Sequence, residues 1–210
     1  KKSRFKPMQK IAELSGLILS GGRATRMQER DKGLVLFDQK PLVQHLIDRF
    51  GPQLESVSIN CNRNFEQYQQ FGCPLIRDQQ SDFAGPLAGI EAGLLECNTD
   101  YLLILPCDMP LLPQHLIRQL WQPVADQISQ KETNLITVAH DGQRLQVLVM
   151  ILARSCRPSI LSYLAEGRHS VHGWLKAQTI QSVDFSDEQS SFINLNSETE
   201  LADQESLLHP

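Results

Sequence analysis

Long apolar runs are missing from this sequence. Stretches such as Tyr101 to Leu105 fall far short of the roughly 20 residues that a membrane-spanning helix needs. No basic-apolar-small leader pattern opens the chain, so a cytoplasmic setting without a membrane partner is expected. Positive charge is in short supply as well: 20 Lys and Arg stand against 24 Asp and Glu, a net charge of −4. That balance argues against nucleic acid as a partner and confines anion binding to local clusters. The five cysteines (Cys61, Cys73, Cys97, Cys107, Cys156) are an odd number without Cys-X-X-Cys spacing. They read as free thiols in a reducing compartment. His169 and His172 stand three apart with no cysteine at ligand spacing, so a zinc site is not expected. No Ser/His/Asp triad, internal repeat or low-complexity segment is legible.

What is present is an ordinary globular composition, 41% hydrophobic and 21% charged over 210 residues. This suffices for one α/β domain with a sizeable core and is short for two. Residues 1–13 are polar and aperiodic and read as a flexible N-terminal tail, leaving 14–210 as the domain.

The stretch Leu17 to Gly33 organises the rest. An apolar run, Leu17-Ile18-Leu19, stops at Ser20-Gly21-Gly22; Arg23, Arg26 and Lys32 follow, and Gly33 closes the loop. It reads as a buried strand, Leu14 to Leu19, delivering its carboxyl end into an anion-cradling loop. Glycines let backbone N–H groups approach an anion, and the basic side chains add charge. The loop lacks the Gly-Lys-Ser/Thr ending of a P-loop and the third glycine of a dinucleotide fingerprint. Taken alone, a solvated turn explains it equally well.

Downstream, the pattern predicts an extended piece at Leu34 to Phe37, a turn at 38–41 and a helix from Pro41 to Phe50. Strands are expected at Val57 to Asn62 and Leu75 to Asp78, separated by a short helix at Phe65 to Phe71. A helix at Leu87 to Leu95 has Leu87, Ile90, Ala92, Leu94 and Leu95 as core candidates. Tyr101 to Leu105 is the most apolar strand and hence central. A helix from Pro113 to Trp121, an irregular link or frayed helix at Gln122 to Thr133, and strands at Asn134 to Ala139, Leu145 to Leu152 and Ile180 to Phe185 complete the outline, with helices at Ser159 to Ala165 and Val171 to Lys176. Phe192 to Asn196 reads as a short extended segment, and Ser197 with Glu200 as a capping box opening the last helix. Alternating strands and helices argue a three-layer, doubly wound, mostly parallel sheet, with ligands at the strands' carboxyl ends. Asn60, Asn62, Asp78 and Asp108 lie there. Asp108, in Pro106-Cys107-Asp108-Met109-Pro110, suits a hard cation such as Mg²⁺, which takes carboxylate oxygen plus substrate phosphate; the alternative is an Asp that caps its own turn.

Leu19-Ser20-Gly21-Gly22, Arg26-Met27, Asp31-Lys32-Gly33, Asn60-Cys61-Asn62-Arg63, Gly85-Pro86-Leu87-Ala88-Gly89, Pro106-Cys107-Asp108-Met109-Pro110 and Phe192-Ile193-Asn194-Leu195-Asn196 occur in one order. Together they resemble the molybdenum cofactor guanylyltransferases (MobA-type) among the nucleotide-diphospho-sugar-transferase-like nucleotidyltransferases. The resemblance spans Ser15 to about Leu201 and implies a Rossmann-like fold. It implies an enzyme that transfers GMP from GTP to molybdopterin-bound molybdenum cofactor and releases pyrophosphate. Lys32, Arg26 and Asp108 would be catalytic, with Asp108 on Mg²⁺. Leu19, Ser20, Gly21, Gly22, Lys32, Asn60, Asp78 and Asp108 would bind GTP, and Asn194 with Asn196 the pterin side. Molybdoenzymes or other cofactor-biosynthesis proteins would be delivery partners. The chain departs from the family at Gln146-Val147, where a Pro-containing segment is usual. A cytidylyltransferase on the same or another phosphate acceptor, and a non-catalytic nucleotide- or cofactor-binding adaptor, stand as alternatives.

Overall fold

The computed structural model describes residues 10–20, 31–79, 85–129 and 135–208. Its centre is β1 (Leu14–Leu19), whose six residues are all buried. A strand buried along its whole length is stable only when both faces of the sheet are covered. β1 pairs in parallel with β4 (Val57–Asn60) on one side and β6 (Tyr101–Pro106) on the other. β5 (Leu75–Ile76) adds in parallel to β4. Beyond β6 the sheet turns antiparallel through β8 (Leu145–Ala153) and β7 (Ile136–His140), and β9 (Ile180–Asp184) joins β7 in parallel. The seven-strand order is β5-β4-β1-β6-β8-β7-β9, with β6 in the middle as its composition predicts. A separate hairpin joins β2 (Leu36–Phe37) to β3 (Lys40–Pro41). Its turn residues Asp38 and Gln39 adopt φ of 47° and 60°, the left-handed pair that two-residue hairpins favour.

The helices are α1 (Leu42–Phe50), α2 (Phe65–Gln69), α3 (Pro86–Glu96), α4 (Leu116–Ser129), α5 (Arg157–Ala165), α6 (Val171–Leu175) and α7 (Glu198–Leu208). α3 packs on β1, β4, β5 and β6, while α4 packs on β7, β8 and β9. The fold is the doubly wound, mostly parallel architecture expected. No described helix is long and apolar enough to cross a membrane.

Several local expectations are corrected. Pro41 stays extended (φ −55°, ψ 141°) as the last residue of β3, and α1 begins after it. Lys32–Leu34 is a 3-10 turn rather than the start of an extended piece. α4 begins at Leu116 and continues through Pro123 to Ser129, absorbing most of the expected link. A proline inside a helix costs about 3 kcal/mol. Val124, buried in the half of α4 beyond that proline, continues the stripe of Leu116, Ile117 and Leu120 and holds it against the sheet. Leu95 is 42% exposed, because Leu87, Ile90 and Leu94 already fill the inward face of α3. β4 and β5 end at Asn60 and Ile76, short of Asn62 and Asp78. Phe192 closes a 3-10 stretch from Ser186, and residues 193–196 are irregular rather than a strand. Ile11, inside the expected tail, bridges to Leu54.

Candidate active site

Parallel register aligns the strand ends. Leu19 lies opposite both Asn60 of β4 and Pro106 of β6, and Asn60 opposite Ile76 of β5. Ser20 N–H donates to Asn60 O (2.9 Å), and Cys107 N–H donates to Leu19 O (3.1 Å). Ser20, Asn60 and Cys107 are therefore fixed side by side at one edge, with Asp108 next in the chain.

Lys32 and Asp108 meet at that edge. Lys32 Nζ donates to Asp108 Oδ2 at 3.1 Å, with side-chain exposures of 34% and 16%. The same ammonium donates a short hydrogen bond to Asn196 Oδ1. The C-terminal segment is anchored there by its backbone as well, since Leu195 N–H donates to Asp108 O at 2.8 Å. Asn196, read from sequence as an acceptor-side residue, thus touches the lysine read as a nucleotide-side residue. Burial of the neighbouring Cys107 pushes its thiol up, so it stands beside Asp108 as a neutral wall and not as a nucleophile.

A second polar group forms where β4 and β5 end. Asn60 is 2% exposed. Its Nδ2 donates to Asp78 Oδ1 (2.8 Å) and to Ile76 O (3.3 Å). Asn62 Nδ2 donates to Asp78 Oδ2 (2.8 Å), and Asn62 Oδ1 accepts from Asp78 N–H (3.0 Å). The side chains therefore lock a half-buried carboxylate in one orientation, with Asp78 presenting it and Asn60 bracing it from below. Gly89 permits this: a Cβ there would stand 2.3 Å from Asn60 Oδ1.

The acceptor-side candidates line a cleft of 570 Å³ together with Asp141, Arg144 and Glu200. Asn194 and Asn196 both reach it from irregular chain rather than from the extended segment expected. α7 anchors that chain at Asn196. Glu200 Oε2 accepts from the N–H groups of Asn196 (2.7 Å) and Ser197 (2.9 Å), and Ser197 Oγ accepts from Glu200 N–H (3.2 Å). This is the capping box read from sequence. Gln146, the departure from the family pattern, is 6% exposed and donates to Asp141 Oδ2. Asp141 Oδ1 accepts from Gln143 and Arg144 N–H, both at 2.8 Å. Burial pushes the Asp141 carboxyl up, but the two N–H groups and the Gln146 amide outweigh it and hold the group below the usual aspartate range. That turn-binding role of Gln146 was not read from the sequence. A polar residue in β8, paired with Ala139 close to the Asp141-Gly142 turn, was the available signal.

Among the described residues no three or more His, Cys, Asp and Glu side chains gather to hold a metal. Asp108 is a single hard oxygen donor at the cleft edge. It fits a cation that takes one protein carboxylate and completes its shell with substrate phosphates and water. Gly21, Gly22, Arg23 and Arg26 lie outside the described residues, which leaves Leu19, Ser20, Lys32, Asn60, Asp78, Asp108, Asn194 and Asn196 as the described candidates.

The doubly wound sheet gathers Lys32 and Asp108 at its carboxyl edge, and the family that the sequence matches is one of nucleotidyltransferases. The chain belongs to the MobA-like NTP transferase domain family, whose pattern matches residues 16–183. A relative from Vibrio cholerae named molybdenum cofactor guanylyltransferase is 41% identical over 204 residues, 97% of each chain. A Serratia proteamaculans protein of the same name is 40% identical over 184 residues, 88% of this chain and 90% of that one. Among solved structures, molybdopterin-guanine dinucleotide biosynthesis protein A from Archaeoglobus fulgidus shares the fold with a TM-score of 0.73. It is 17% identical, over 92% of this chain and 98% of that one.

Proposed function

We propose that this chain transfers GMP from GTP to the terminal phosphate of the molybdopterin-bound molybdenum cofactor. The pterin phosphate oxygen attacks the α-phosphorus, a new P–O–P linkage forms, the α–β bridging bond breaks, and pyrophosphate leaves. The nucleophile is already anionic near neutral pH, so no general base is required. The observation that carries this reading is the contact of one ammonium, Lys32 Nζ, with both Asp108 and Asn196. In this reading a cation stands where the nucleotide edge and the acceptor cleft meet. Transfer spreads charge over the α-phosphate oxygens and the leaving pyrophosphate, and fixed cations lower that barrier without covalent chemistry. Asp108 would hold Mg²⁺, which when bound neutralises phosphate charge. Asp78, braced by Asn60 and Asn62, offers carboxylate oxygens to N–H or O–H groups of the base or ribose. The cleft lined by Asn194 and Asn196 would take the pterin.

The test is pyrophosphate release with Mg²⁺, molybdopterin cofactor and either GTP or CTP. Release with GTP alone is expected. Release with CTP alone overturns the guanine assignment, and release with neither overturns the reaction. Asp108→Asn should keep the fold by circular dichroism and lose Mg²⁺-dependent turnover by at least about 100-fold.

A further inference from the structure

Both chain neighbours of Lys32 meet the same hydroxyl. Tyr68 Oη donates a short hydrogen bond to Asp31 Oδ1. On the other flank, a Cβ at Gly33 would stand 2.4 Å from Tyr68 Oη and 2.8 Å from Ser20 Oγ, so only glycine lets the chain pass. The Asp31 side chain is 2% exposed. Its second oxygen accepts from Asn64 Nδ2 at 3.0 Å, and Arg63 Nε lies 3.4 Å away. Tyr68 itself is 0% exposed, carried by the five-residue α2. Burial, with Cys107 and Asp31 close by, pushes its phenol well up, so Oη remains a donor.

Lys32 needs such support. It opens a 3-10 turn of three residues, closed by Leu34 N–H to Asp31 O and Val35 N–H to Lys32 O, each 3.1 Å. A turn this short has little stability of its own, and a lysine has four freely rotating carbons. A buried carboxylate, by contrast, is held hard by its donors, because leaving it without them is costly. The rigid point beside the lysine is therefore Asp31, and Tyr68 is its buried partner.

We propose that Tyr68 is a positioning residue for nucleotidyl transfer: through Asp31 and Gly33 it sets the turn that aims Lys32 at Asp108 and the nucleotide phosphates. This rests on the reading of Lys32 as the phosphate-facing cation. Tyr68→Phe keeps the ring and removes only Oη. The expected result is a kcat lowered roughly 10- to 100-fold with KM for GTP moved by less than about 3-fold. In a Lys32→Ala background the same change should lower kcat by no more than about 2-fold, since the hydroxyl acts through the lysine. An unchanged kcat in Tyr68→Phe, or an equal drop in both backgrounds, overturns the proposal. Where Tyr68→Phe does not fold, Asp31→Asn, of the same shape without the charge, is held to the same comparison. Hydrogen exchange at the Leu34 and Val35 amides is read on the protein alone. Faster exchange in Tyr68→Phe is expected, and unchanged exchange overturns the clamp. A wild-type protein that releases no pyrophosphate overturns the reaction instead, and the exchange result then decides the clamp by itself.

Discussion

Lys32 Nζ donates to Asn196 Oδ1, a hydrogen bond between residues 164 positions apart. It ties the turn after the first loop to the segment that precedes the last helix. With Asp108 on the other side of the ammonium, Lys32 has a charged partner from the sheet and a neutral one from the C-terminal segment.

The neutrality of Asn196 is the testable part of that arrangement. Asn196→Ala removes one acceptor and should lower kcat by roughly 10-fold while GTP affinity changes little. Asn196→Asp would set a second carboxylate on the ammonium and draw its charge away from phosphate. A raised KM for GTP is expected in steady-state kinetics, and a KM below wild type would contradict the assigned role.

Gly89→Ala tests the bracing of Asp78. Alanine is ordinarily favoured over glycine in a helix by about 1 kcal/mol. Here the added Cβ would lie 2.3 Å from Asn60 Oδ1 and push the amide off Asp78. A stability loss of about 1–3 kcal/mol is expected, together with GTP binding weakened by about 10-fold. Thermal unfolding and calorimetric titration read the two separately.

The capping box should separate stability from turnover. Ser197→Ala removes one cap bond and should cost about 1 kcal/mol by denaturant melt. Glu200→Ala also frees the Asn196 N–H, which Glu200 accepts at 2.7 Å. It should therefore lower turnover more than Ser197→Ala at equal loss of stability, with GTP affinity unchanged.

Asp141 gives a pH signature. Its carboxyl is held below the usual range once the donors from Arg144, Gln143 and Gln146 outweigh burial. A depressed folded-state value stabilises the fold above the ordinary aspartate pKa, about 3.9, and that stability is lost as pH falls through the depressed value. The difference in melting temperature between wild type and Asp141→Asn should be largest near neutral pH and shrink below about pH 4. A difference that grows on acidification would contradict the network.

The legible parts of the fold were those where one local pattern faces one environment. β1 was readable to its ends because a strand covered on both faces carries no charged residue, and every residue from Leu14 to Leu19 is buried. The Ser197–Glu200 capping box was readable because both its partners sit within one helical turn. The end of α4 was read too early because the polar run after Trp121 is a local signal, whereas the burial of Val124 that carries the helix on depends on the sheet beneath. Asn62 and Asp78 read as strand residues because each closely follows an apolar run; in the folded chain side-chain hydrogen bonds join them just past the ends of β4 and β5.

Sequence alone carried the resemblance to the family in its ordered motifs, and pointed to the doubly wound sheet in its alternation of apolar strands with helical spacing. Only the folded chain decided how the residues at the carboxyl edge of that sheet divide their work. It placed Asn196 on Lys32, made Asn60 the brace of Asp78, and turned Gln146 from a departure into the partner of Asp141. The reason is physical: a side-chain hydrogen bond has a reach of about 3 Å. Which distant residues come that close depends on strand register and helix packing, and no local pattern encodes it.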